Sequence, residues 1–131
     1  MRVISLITSL ACLVLASCAP QPTKEVPAEF KNGQKYFHRV CSNCHGPDAM
    51  GKQTKAPRLI DADYLPDMFS DEEIRETVLN GTDKMPSQKQ NVTAEEITEI
   101  IKYLRYSQQA AGLVGEEDGE DAPESSSPTE G

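Results

Sequence analysis

The chain has no tryptophan, and its 131 residues include only three phenylalanines and four tyrosines. A domain of this size with so few large apolar side chains builds a thin core unless something besides its own residues fills it. No apolar run reaches the roughly 20 residues that a membrane-spanning helix needs. A basic excess is absent too: 13 Lys and Arg face 21 Asp and Glu, for a net charge of −8, so the positive footprint of a nucleic-acid-binding surface is missing. No stretch alternates apolar and polar residues with the period of a half-buried strand, which points to an all-α fold. Histidine is scarce as well, with two in the whole chain.

What is present begins at the N-terminus. Arg2 precedes an apolar run over 3–16 that ends in Leu15-Ala16-Ser17-Cys18. This is the pattern of an export signal, too short to span and lacking a charged stop-transfer flank. Leu15-Ala16-Ser17-Cys18 is also similar to a bacterial lipobox. Cleavage over 1–17 would leave Cys18 as the first residue, carrying lipid on its sulfur and its new N-terminus. Acyl chains contribute about 0.8 kcal/mol per buried CH₂, so the mature chain is expected to be anchored to a membrane without spanning it, facing the periplasm or the extracytoplasmic side. Cys12 leaves with the signal and Cys18 is consumed by lipid, so only Cys41 and Cys44 remain for the folded part.

Residues 18–27 are rich in proline and read as a spacer behind the lipidated Cys18 that would lift the domain off the membrane. At the other end, 111–131 is expected to be a disordered tail: 116–131 holds seven acids and no base, with Ser, Pro and Gly but nothing to bury. The rest of the mature chain is then nearly neutral. Between these ends, 28–110 carries three helical patterns. The first, over about 28–41, repeats Phe30, Gly33, Phe37 and Val40 on one face. Gly33 costs about 1 kcal/mol against alanine inside a helix, which suggests that another backbone approaches it closely. The second starts with the capping box Ser70-Asp71-Glu72-Glu73, buries Ile74 and Val78, and stops at Asn80-Gly81. The third starts with Thr93-Ala94-Glu95-Glu96 and runs to about Gln109, with Ile97, Ile100, Ile101 and Leu104 as its stripe. Pro66 leaves the helicity of 64–68 open.

The motif Cys41-Ser42-Asn43-Cys44-His45 carries the chemistry. In an exported chain, Cys-x-x-Cys-His is the signature of c-type haem attachment. Two cysteines three positions apart lie on one side of a turn, where they can form thioethers with the two vinyl groups of one haem, and His45 follows to meet the iron. A zinc site would have only these cysteines with His38 and His45. A thioredoxin-like redox pair would sit beside a βαβ pattern, which is not visible. A lone disulfide between Cys41 and Cys44 would close a very small loop.

With this motif after an N-terminal helix, the chain resembles the monohaem class I c-type cytochromes over roughly 28–109. The resemblance extends to Ala56-Pro57-Arg58-Leu59, at the place of the family's Pro-x-Leu segment, and to Gly81-Thr82-Asp83-Lys84-Met85-Pro86, at its distal ligand loop. It implies a small cytochrome c fold of about four helices around one haem c bound through Cys41 and Cys44. It further implies that His45 and Met85 bind the iron, that the Pro57 carbonyl accepts a hydrogen bond from His45 Nδ1, and that Leu59 packs on the haem. The family's close crossing of first and last helices would pair Gly33 and Phe37 with Tyr103 and Leu104. Met50 and Met68 compete for the sixth position. Met50 is only five residues past His45, and Met68 reads as pocket wall together with Tyr64, Leu65 and Phe69.

Two axial ligands leave no open position on iron, so the expected role is one-electron transfer and not catalysis. The leading reading is a lipid-anchored carrier between redox proteins, with a dehydrogenase or bc-type complex as donor and an oxidase or reductase as acceptor. One alternative is a fixed cytochrome subunit of an oxidoreductase complex. Another, if Met85 does not bind, is a haem enzyme or gas sensor.

Overall fold

The computed structural model describes residues 19–114. The expected signal, the lipidation site Cys18 and the acidic stretch 116–131 lie outside these residues. Four α-helices follow in order: α1 (Lys31–Val40), α2 (Ser42–His45), α3 (Asp71–Asn80) and α4 (Ala94–Ala110). Single 3-10 turns stand at Ala28–Phe30, Pro47–Ala49 and Ala62–Tyr64. There is no strand among the described residues, as the missing period-two pattern implied. No helix among them is long and apolar enough to cross a membrane.

Both expected capping boxes form. The Ser70 hydroxyl accepts from the Glu73 amide while the Glu73 carboxylate accepts from the Ser70 amide, and Thr93 and Glu96 repeat the exchange at α4. Each box satisfies two amides that the first helical turn would otherwise leave unpaired. The long segment between α2 and α3 stays irregular through Pro66, with only the 3-10 turns at Pro47–Ala49 and Ala62–Tyr64, and the chain becomes helical again at Asp71.

The core is centred on the crossing of α1 with α4. Phe37 and Ile97 are fully buried, and Tyr103, Ile100, Ile101 and Leu104 nearly so. Gly33 lies at the crossing point: a Cβ there would come 2.7 Å from Tyr103 Cβ and closer still to the Glu99 carbonyl oxygen. The absent side chain is therefore what lets the backbones approach, and the rings of Phe37 and Tyr103 meet next to it with centroids 5.6 Å apart. Just before α1, Phe30 of the 3-10 turn stacks on Tyr106 of α4 at 4.3 Å.

The N-terminal segment departs from the sequence reading. Residues 19–27 have no helix or strand, as their prolines require, yet 23–26 lie against the domain instead of standing free of it. Val26 is buried, and Gln34 Nε2 donates to the Lys24 carbonyl at 2.7 Å. Thr23 donates from both its amide and its hydroxyl to Asp48 Oδ2, at 2.9 and 2.5 Å. Asp48 is itself buried. Its other oxygen faces the Tyr103 hydroxyl at 3.4 Å, and burial followed by this carboxylate holds the Tyr103 phenol well above its ordinary pKa. His38 completes the cluster. Its Nδ1 donates to the Gln34 carbonyl at 2.7 Å, so Nε2 is the acceptor that receives the Asp48 amide at 3.1 Å. The 3.6 Å approach of the same Nε2 to Asp48 Oδ1 is then a neighbour contact and not an ion pair.

Candidate haem site

Phe37, on the α4-facing side of α1, and Cys41 behind it bring the start of the Cys-x-x-Cys-His motif to the core. Cys41 closes α1 by donating its amide to the Phe37 carbonyl at 2.7 Å, and its own carbonyl receives the amides of Cys44 and His45. The motif is thus one tight turn, α2, and Cys41, Cys44 and His45 all line a single cavity of about 840 Å³. Cys41 is buried and Cys44 exposed. Burial pushes the Cys41 thiol up to about 12, with the neighbouring Cys44 adding to the effect.

Past the turn, the chain folds back beneath His45. The Gly51 amide donates to the His45 carbonyl at 2.6 Å, and Thr54 Oγ1 donates to the Cys44 carbonyl at 3.1 Å while accepting from the Ala56 amide at 3.0 Å. On the far side, the Leu59 amide donates to the Ala49 carbonyl at 2.8 Å. Held at both ends, this segment presents the Pro57 carbonyl to His45 Nδ1 at 2.8 Å. A carbonyl only accepts, so Nδ1 carries the proton and Nε2 keeps its lone pair. That is the tautomer a metal-binding imidazole needs, with its other nitrogen tied to a backbone carbonyl.

Another part of the lining comes from the loop between α3 and α4. Gly81 ends α3 with φ of 73°, and a Cβ there would come 2.6 Å from both the Met85 oxygen and the Ser87 nitrogen. Thr82 then closes the loop: its amide donates to the Met85 carbonyl at 2.7 Å, and its hydroxyl accepts from the amides of Lys84 and Met85 at 3.2 and 3.1 Å. Gln88 and Ser87 tie the outgoing strand of the loop back to the Val78 and Leu79 carbonyls. Met85, half-buried by this clasp, lines the same cavity as the two cysteines and His45.

The rest of the lining is mostly apolar. Leu59, Tyr64, Phe69, Ile74, Val78 and Leu104 contribute to it. Met68 does not: it is 67 % exposed, so only Tyr64 and Phe69 of the expected wall face inward. Leu65 and Met50 are also outside the lining. Two residues that sequence reasoning missed hold this wall in place. Arg105 on α4 donates to the Tyr64 and Phe69 carbonyls, each at 2.6 Å, and to Gln108 Oε1 at 2.9 Å. Gln108, itself buried, donates to the Leu59 and Tyr64 carbonyls at 3.0 and 2.8 Å. On α4 these appear as an ordinary polar pair one turn apart, and nothing in their spacing marks them as clamps on a distant loop. Thr54 and Thr82 are equally silent in the sequence.

The site fits a haem on its own chemistry. It offers two free thiols, an imidazole with a free Nε2 and a thioether in one cavity, whose volume lies toward the upper end of the roughly 300–1,000 Å³ usual for cofactor pockets. The space also accounts for the thin protein core. Residues 28–104, more than half of the chain, match the family described as cytochrome c oxidase, cbb3-type, subunit III. This is a class I c-type cytochrome domain, which carries haem c covalently and transfers electrons between redox proteins. Taken with the all-α fold around the Cys-x-x-Cys-His cavity, the match identifies the chain as a member of the family of cytochrome c oxidase, cbb3-type, subunit III.

Proposed function

We propose that this chain is a monohaem electron carrier in which Cys41 and Cys44 hold the haem, His45 and Met85 are its axial ligands, and lipid on Cys18 anchors it to the outer face of a bacterial cytoplasmic membrane or within the periplasm. The observation that carries the reading is the convergence of Cys41, Cys44, His45 and Met85 on one apolar cavity. When bound, the haem supplies the one-electron couple. The protein residues orient and shield it. The Pro57 carbonyl fixes the His45 ring and makes its Nε2 more basic. A soft thioether from Met85 would favour the reduced iron and raise its potential, and His45 and Met85 together would leave no position for oxygen or a small substrate. Leu59, Phe69 and Ile74 of the lining would shield the haem from water, and Lys55 and Lys84, exposed residues of the same lining, would offer positive charge to its carboxylates.

The test is spectroscopic and covalent together. The haem should remain with the polypeptide on denaturing electrophoresis, and the oxidised protein should absorb near 695 nm, the mark of sulfur on ferric haem. Haem that acid and organic solvent extract from the wild type sinks the thioether assignment.

A second reading has its own support. The matching family is named for an oxidase subunit, which favours a chain that is the fixed cytochrome of such a complex instead of a diffusing carrier. Membranes solubilised in mild detergent distinguish the two: a fixed subunit migrates with a catalytic subunit in constant ratio, and a carrier migrates alone.

A further inference from the structure

The described residues divide sharply by charge. Residues 19–58 hold seven Lys and Arg against three acids, and 59–114 hold five against eleven. The basic part therefore has a net charge of +4 within an acidic protein. Within it, a second cavity of about 740 Å³ runs between the N-terminal segment and α1, lined by Ala19, Lys24, Glu25, Lys31, Lys35 and Arg39 among others. Arg39 is occupied, bonded to Glu96 at 2.7 Å. Lys24, Lys31 and Lys35 are exposed and make no ion pair among the described residues.

This groove exists because the N-terminal segment is docked. Thr23 on the buried Asp48 carboxylate and the Lys24 carbonyl on Gln34 hold the segment along α1. Ala19 lines the groove, and the chain continues from it into Cys18. Had residues 18–27 formed a free spacer, ten residues could extend roughly 35 Å, several Debye lengths at physiological ionic strength, and surface lysines would not feel a bilayer. Docked as it is, the segment leaves only the few residues before Thr23 between anchor and domain. That is a reach of at most about 18 Å.

We propose that the groove face carrying Lys24, Lys31 and Lys35 seats on anionic phospholipid headgroups, so that the docked N-terminal segment sets the orientation of the domain on the membrane instead of merely tethering it. The proposal rests on the lipid-anchor reading of Cys18. Three arguments support a lipid surface as the occupant: the anchor lies next to the groove in the chain, Lys24, Lys31 and Lys35 outnumber Glu25, the one acid of its lining, and most acids of the described residues fall in 59–114 of the sequence. Each lysine near an anionic surface contributes about fivefold to the seating equilibrium, and three contribute roughly hundredfold.

The test uses the matured, haem-loaded protein placed in vesicles of phosphatidylcholine alone or of phosphatidylcholine mixed with phosphatidylglycerol. Lysines are labelled with an amine-reactive reagent and read peptide by peptide, with Lys89 and Lys102 as internal references. Lys24, Lys31 and Lys35 should label several-fold more slowly on the anionic vesicles only, and high salt should erase the difference. Lys31→Gln, an exposed change that leaves the haem spectrum intact, should weaken the protection of Lys24 and Lys35 by about fivefold. The mass of the N-terminal peptide tests the anchor separately, and an unacylated Cys18 removes the basis of the proposal. An acylated Cys18 with equal labelling on both vesicles overturns the proposal while the anchor stands. Labelling that slows only when the purified redox partner is added to neutral vesicles gives the face to an acidic protein and overturns it as well.

Discussion

Replacing Gly33 by alanine tests whether the helix crossing that frames the haem cavity depends on an absent side chain. On propensity alone the substitution should help, since alanine in a helix interior is favoured over glycine by about 1 kcal/mol. The crossing opposes it. The new Cβ would come 2.7 Å from Tyr103 Cβ and closer to the Glu99 carbonyl oxygen, and neither atom is the free end of a flexible side chain. Relief requires α1 and α4 to move apart where Phe37 and Tyr103 are buried at 0 % and 1 % exposure. Overpacking of this kind costs about 1–3 kcal/mol. As the upper part of that range applies where backbone must move, the net effect is a loss of about 1–2 kcal/mol, or a fall of roughly 10 °C in Tm for a domain of this size. The assay is thermal or urea unfolding of the holoprotein, followed by helical circular dichroism and by haem absorbance. Asn32→Ala, at the neighbouring exposed position of the same helix, is the control and should be neutral or slightly stabilising. If Gly33→Ala is as stable as that control, the backbones do not depend on glycine to meet, and the reasoning about the crossing is refuted.

Met85→Ala should leave the haem covalently attached but open one axial position, lower the reduction potential and let carbon monoxide bind the ferrous form; unchanged spectra would place another ligand there. Met68→Ala should shift stability by no more than about 0.5 kcal/mol, since Met68 is 67 % exposed, and should leave carbon monoxide excluded. Thr93→Ala removes the hydroxyl that caps α4 and should cost about 1 kcal/mol in urea unfolding. Acid should weaken the fold through Glu96, whose carboxyl is held below the usual range first by the Arg39 hydrogen bond and then by the Thr93 amide. A lowered folded-state pKa stabilises above the unfolded value, near pH 4.3, and that stability is lost as pH falls through the folded value. Glu96→Gln should therefore flatten the stability profile below about pH 4.5, and an unaltered acid limb would show that other carboxylates carry it.

The parts of this protein that local chemistry controls are readable along the chain. Capping boxes need only residues three apart, so Ser70 with Glu73 and Thr93 with Glu96 fix the starts of α3 and α4 before any tertiary contact exists. The spacing of Cys41, Cys44 and His45 is likewise a property of one turn, and Gly33 betrays a close approach because a glycine inside a helix is otherwise a cost. What the sequence cannot express is where separate segments meet. Met68 and Phe69 stand side by side in one apolar run, yet only Phe69 faces the cavity, because Arg105 and Gln108 on α4 pin the carbonyls of that loop from 36 to 49 residues away. Proline content made 18–27 read as a free spacer, and proline does keep it from regular structure. Its docking depends instead on a buried carboxylate 25 residues later, Asp48, which needs hydrogen-bond donors that Thr23 supplies. A buried acceptor must be satisfied by whatever donors the fold brings within reach, and that choice is made only when the chain has packed.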